Sequence, residues 1–193
     1  MPSKLFILTG PHGAGKASLI EPLIKLGINY VPLYTTNADF KDTDPSRNIQ
    51  KTVTAQEFNK HTYIASFTYL GAYYGIRKKD MTDALREHPI NLAILDGNGV
   101  KQMRRLLRDN MVSIYLMTDY VCLIEHLLQI GYTNVEIKDL LQYYEKNHVF
   151  NGWKDADFVV KTTRGMQIAL KQVLSIMGLT EMLPPEKLKN LIR

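Results

Sequence analysis

The chain has 193 residues, 45% apolar and 22% charged, which suits one α/β domain with a real hydrophobic core. Its single cysteine, Cys122, excludes an internal disulfide, and a net charge of +5 suits small anionic ligands without marking a nucleic-acid binder. No apolar run is long enough to cross a membrane and the first residues read as no signal peptide, so a cytoplasmic protein is expected.

The first element is the apolar run over residues 5–9, read as a buried strand. Gly10-Pro11-His12-Gly13-Ala14-Gly15-Lys16 follows it directly. A strand, a glycine-rich turn and a lysine opening a helix make up the phosphate-cradling loop of nucleotide-binding α/β proteins. Glycines let backbone N–H groups crowd around a polyphosphate, and the helix start adds the positive end of its dipole. The candidate phosphate-binding residues are therefore Gly10, His12, Gly13, Ala14, Gly15, Lys16, Ala17 and Ser18. Lys16 is the candidate catalytic residue, a mobile point charge for the outer phosphates. The usual motif ends in a serine or threonine that holds Mg²⁺. Ala17 stands there instead, one residue before Ser18, so the metal site is weakened.

Residues 16–26 read as the first helix, ending near Gly27, and 28–33 as a second strand. A polar loop over 37–52 carries Asp39, Asp42, Asp44 and Pro45. Thr54 and Glu57 have the spacing of a capping box for a short helix. Strands follow at 63–69 and 73–77, then a helix at 79–88. A buried strand over 92–95 delivers Asp96 at its carboxyl end, where a ligand role and a helix N-cap both fit. A helix at 100–108, a strand at 112–117 and a helix at 120–129 come next. Thr133 and Glu136 open a helix running to about residue 147, and a short strand at 158–160 precedes a final helix at 163–177. This alternation predicts an α/β fold with a mainly parallel sheet covered on both faces. Cys122 falls in an apolar helical run and reads as a small core residue.

The chain resembles the guanylate kinase family of P-loop nucleoside monophosphate kinases over about residues 4–179. Four segments carry the likeness: the loop at 10–16, Tyr34-Thr35-Thr36, Gly71-Ala72-Tyr73-Tyr74-Gly75, and residues 94–101 with Asp96 and Gly99. The resemblance implies a single domain over 1–193 with a P-loop three-layer α/β/α core at 1–32, 80–122 and 148–180. A small β-rich acceptor-binding insertion is expected at about 33–79 and a helical lid at about 123–147. It also implies ATP and Mg²⁺, nucleotide ligands, and transfer of the ATP γ-phosphoryl group to GMP. Tyr74 matches a tyrosine that bonds the acceptor phosphate, and Asp96 an acidic residue near the acceptor base and metal. Ser18 and Asp96 are thus the candidate metal-holding residues. Thr35 and Thr36 join Tyr74 and Asp96 as candidate acceptor-binding residues.

Elsewhere the chain departs from that pattern. Asn37 and Phe40 stand where the family has two arginines that grip the acceptor phosphate. Ala65 and Ile76 stand where side chains read guanine, and His126, Ile130 and Leu140 replace arginines of the lid. Hydrogen bonds to charged groups contribute roughly 1.5–3 kcal/mol each, so losing two arginines weakens phosphate binding by about 3–6 kcal/mol unless other cations substitute. Arg47 and Arg77 are the candidate substitutes, with Lys51 and Lys78 beside them. Two readings follow: a phosphotransferase with a remodelled acceptor pocket, or a catalytically inactive nucleotide- or protein-binding module. The stripe Lys101, Arg104, Arg105, Arg108 is a solvated face or a surface for an acidic partner, and a homodimer is the other association left open.

Overall fold

The computed structural model describes residues 3–180; residues 1, 2 and 181–193 of the expected domain lie outside them. In chain order the elements are β1 (Lys4–Thr9), α1 (Lys16–Lys25), β2 (Asn29–Tyr30), β3 (Leu33–Thr35), α2 (Ser46–Ile49), β4 (Gln50–Thr52), α3 (Ala55–Phe58), β5 (Tyr63–Tyr69) and β6 (Ala72–Arg77). Then come α4 (Lys78–Glu87), β7 (Ile90–Ile94), α5 (Gly97–Leu107), β8 (Met111–Met117), α6 (Tyr120–Ile130), α7 (Asn134–Lys146), β9 (Phe158–Lys161) and α8 (Met166–Ile176).

The central sheet has the order β2-β7-β1-β8-β9, and every pairing in it is parallel. Leu5, Phe6, Ile7 and Leu8 of β1 are all buried, as are Leu92, Ala93 and Ile94 of β7. Helices on both faces leave no solvated side, which is why these strands read as continuous apolar runs instead of alternating ones. The fold is the α/β architecture that the alternation predicts.

A second sheet, ordered β4-β3-β6-β5, is inserted between β2 and α4. The single strand expected over 28–33 is in fact two short strands in different sheets. Val31 still donates to Leu92 O at 2.8 Å, but Pro32 has no N–H to continue the ladder, and the chain leaves for the second sheet there. The polar loop over 37–52 likewise contains structure, α2 and β4, with β4 running parallel to β3.

Only the second of the two expected capping boxes forms completely. Thr133 accepts from the Glu136 N–H while the Glu136 carboxylate accepts from the Thr133 N–H. At α3, Thr54 caps Glu57 N, but the Glu57 carboxylate pairs with Arg77 at 3.2 Å instead of turning back.

Helices α6 and α7 pack into a small apolar cluster of their own, Leu123, Leu127, Ile137, Leu140 and Tyr144. Cys122 is not in it. It is half-exposed in the first turn of α6, where the side chain of Asp119 caps its N–H at 2.8 Å.

Candidate functional site

Strand β1 lies between β7 on one side and β8 on the other. The chain fills β2 and β7 first and crosses to β8 and β9 afterwards, so the strand order reverses at β1. Ligand crevices in open parallel sheets form at the carboxyl ends beside such a reversal. The glycine loop begins there. Gly10 has φ 130°, and a β-carbon on it would lie 2.7 Å from Leu116 O of β8. Gly13 and Gly15 have φ 90° and 89°, and Gly15 is the residue that opens α1. Glycine is required at these positions because L side chains rarely adopt that backbone.

Lys16 folds back over the loop. Its ammonium donates to Gly10 O and Pro11 O, each at 2.7 Å. Burial lowers its pKa from 10.5 to about 7, against the opposing pull of the Asp44 carboxylate.

Asp44 comes from the inserted segment, just before α2, and only 3% of its surface is exposed. Its Oδ1 accepts from Ser46 N at 2.8 Å, and its Oδ2 lies 3.3 Å from His12 Nε2. Burial lowers His12 from 6.5 to about 4, with Asp44 opposing and Lys16 and His126 adding to the fall. An imidazole held this low is neutral at pH 7, so its contact with Asp44 is not an ion pair there. The Tyr132 hydroxyl lies 3.3 Å from the same nitrogen.

Helices α6 and α7 pack over the loop from the other side. His126 Nδ1 donates to Gly13 O at 2.6 Å, and Tyr144 donates to His12 O at 3.1 Å. A β-carbon on Gly13 would meet Leu123 and Leu127, and one on Gly15 would meet Met166. The space remaining between His12, Lys16, Ser18, Asp44 and His126 is about 20 Å³. That admits about one water. A larger open cleft, about 510 Å³, runs along Ile28, Asn29, Tyr30, Asn48 and Gln50 and includes none of the loop residues.

Tyr74, buried in β6, has its hydroxyl within hydrogen-bonding reach of Thr35 and Asn37; burial raises its pKa, and the nearby Asp44 charge acts in the same direction. Thr35 is fully buried and accepts from Asn37 N at 3.0 Å, while Thr36 accepts from Tyr73 N at 2.9 Å. The remaining acceptor candidates are engaged elsewhere. The Arg77 guanidinium lies 3.8 Å over the Tyr34 ring and pairs with Glu57. Arg47 pairs with Asp42 at 2.7 Å on the surface.

Asp96 is the N-cap of α5, its Oδ1 accepting from Gly99 N at 2.7 Å, and burial raises its pKa. It is not among the residues around the 20 Å³ space that Ser18 lines. Ala17 offers no oxygen, and among the described residues no three His, Cys, Asp or Glu side chains gather as a metal-binding group. These residues do not form a preformed Mg²⁺ site. In the basic stripe, Lys101 faces Asp155 at 3.7 Å and Arg104 bonds Asp157 at 2.7 Å, which neutralises half of it within the chain.

Sequence reasoning named the loop but gave no role to Asp44, Tyr132 or Tyr144. Asp44 did carry a signal, since an aspartate before proline commonly starts a turn. The two tyrosines had none.

A glycine loop after the central strand of a parallel sheet, with an inserted sheet and a helical cover, defines a P-loop kinase fold. No family model matches the chain. A guanylate kinase of Methylobacillus flagellatus is 28% identical over 123 residues, 61% of this chain and 60% of that protein. One from Wolinella succinogenes is 23% identical over 181 residues, 89% of this chain and 82% of that protein. The crystal structure of guanylate kinase from Anaplasma phagocytophilum superposes with a TM-score of 0.64 at 19% identity, covering 94% of this chain and 87% of its own. A shikimate kinase from Bacteroides thetaiotaomicron gives 0.50 at 18% identity, covering 91% and 99%. The structural likenesses are of fold alone. In its strongest sequence matches the chain spans about half to three fifths of the relatives' length. Taken together, these likenesses show that the chain is similar to guanylate kinases in sequence and in fold.

Proposed function

We propose that the chain binds ATP at the loop of residues 10–18 and transfers its γ-phosphoryl group to a nucleoside monophosphate other than, or bound differently from, GMP. The observation that carries this reading is the intact loop itself: three glycines at positive φ and Lys16, placed where the strand order reverses. In this reading residues 33–79 and 123–147 act as acceptor-binding insertion and lid on a single kinase core.

An acceptor phosphate oxygen attacks the γ-phosphorus in line, the bond to the β–γ bridging oxygen breaks, and ADP leaves. Positioning and electrostatics supply most of the catalysis in such transfers. Lys16 exchanges the carbonyls of Gly10 and Pro11 for phosphate oxygens. Loop amides neutralise further charge. Tyr74, Thr35 and Asn37 offer hydrogen bonds to the acceptor.

ADP release from ATP and Mg²⁺, with GMP and with other nucleoside monophosphates, tests this beside Lys16→Ala. Stimulation by one monophosphate, lost in the variant, is the expected result. Equal turnover in both proteins would place the activity elsewhere.

A second reading, a non-catalytic binding module, is favoured by Ala17 and by the residues that replace the family's arginines. ATP binding without stimulation by any monophosphate would select it.

A further inference from the structure

A carboxylate from the inserted segment stands beside the glycine loop. Asp44 is a buried carboxylate placed against His12, and it lines the same small space as Gly13, Gly15, Lys16 and Ser18. Its loop is fastened to the lid by separate contacts. Lys41 pairs with Glu136 at 2.6 Å and lies 5.3 Å over the Tyr132 ring, and the Thr43 hydroxyl donates to Ile130 O. The inserted segment, the lid and the glycine loop are thus joined around one carboxylate, with about 20 Å³ left beside it.

We propose that Asp44 is an internal stand-in for phosphate: its carboxylate occupies the cradle and, latched through Lys41 to Glu136, holds the site shut until a polyphosphate displaces it. This rests on the nucleotide-binding reading of the loop. Two acidic groups compete for the same cations, so the ligand must carry enough negative charge to outcompete a carboxylate tethered at high effective concentration. That favours a nucleoside di- or triphosphate over a single phosphate.

Two variants separate the latch from simple charge. Asp44→Asn keeps an oxygen to accept from Ser46 N and removes the charge. Lys41→Ala keeps Asp44 and cuts the tie to the lid. ATP binding to the full chain by calorimetry, beside amide hydrogen exchange without ligand, is the test. Both variants are expected to bind ATP at least tenfold more tightly than the wild type, and residues 41–45 and 131–137 to exchange at least tenfold faster. Removing a cation can only weaken an anion's binding by charge, so tightening in Lys41→Ala identifies the latch. If ATP binds the wild type and neither variant binds it more tightly or exchanges faster, this inference falls while the nucleotide reading stands. If exchange accelerates but ATP binds none of the three, the nucleotide reading falls and takes the stand-in role with it.

Discussion

The Tyr144 hydroxyl donates to the carbonyl oxygen of His12 at 3.1 Å and meets the Tyr69 hydroxyl at 3.0 Å. One group on α7 thereby ties that helix to both the glycine loop and the inserted sheet. Tyr144 is fully buried, and burial holds its pKa far above 10, so it remains a donor across the working pH range. In Tyr144→Phe the His12 carbonyl and the Tyr69 hydroxyl lose that partner. A stability loss of about 1–3 kcal/mol is expected by urea unfolding. An unchanged midpoint would mean that water replaces the hydroxyl without cost.

Gly10→Ala and Gly13→Ala should differ. At Gly10 a β-carbon meets backbone, Leu116 O at 2.7 Å; at Gly13 it meets the Leu123 and Leu127 side chains, which can move. Both positions have positive φ, which costs an alanine on the order of 1–3 kcal/mol. Gly10→Ala should therefore unfold at least about 1 kcal/mol more easily than Gly13→Ala. Equal loss in thermal denaturation would contradict the close approach of β8.

Lys16 gives stability a definite pH dependence. Its folded pKa, about 7, lies below 10.5, so between those values the unfolded chain binds more protons and this residue's contribution to stability rises with pH. Lys16→Met removes the buried charge. Its stability advantage over the wild type should be largest near pH 7 and shrink towards pH 10. An advantage that stays constant across this range would show that Lys16 titrates as it does in water.

His12 acts in a lower window. It is held at about 4, below 6.5, by burial first and then by Lys16 and His126, with Asp44 opposing; the Tyr132 hydroxyl also faces it. Stability from this group is present above pH 6.5 and is lost as the pH falls towards 4. His12→Gln should flatten unfolding curves measured between pH 4 and 6.5. The same slope in wild type and variant would assign acid sensitivity to other groups.

The glycine loop, the order of strands and helices, and the capping box at Thr133 were determined by the chain locally. Glycine spacing, hydrophobic runs and side chain-to-backbone caps act over a few residues, so they can be read in sequence. Arg77 shows where that stops: its position beside the double-tyrosine strand suited an acceptor phosphate, yet it stacks on Tyr34, a residue more than forty positions earlier. Asp44 carries only a turn signal, from Pro45 after it, and Tyr144 carries none. They reach His12 because the inserted segment and α7 pack over the same strand end, a juxtaposition that depends on packing between distant parts of the chain. Sequence alone named the glycine loop as a phosphate-binding candidate; only the tertiary structure decided that a carboxylate of the same chain stands beside it, because burial and opposite charge bring together groups that no local pattern connects.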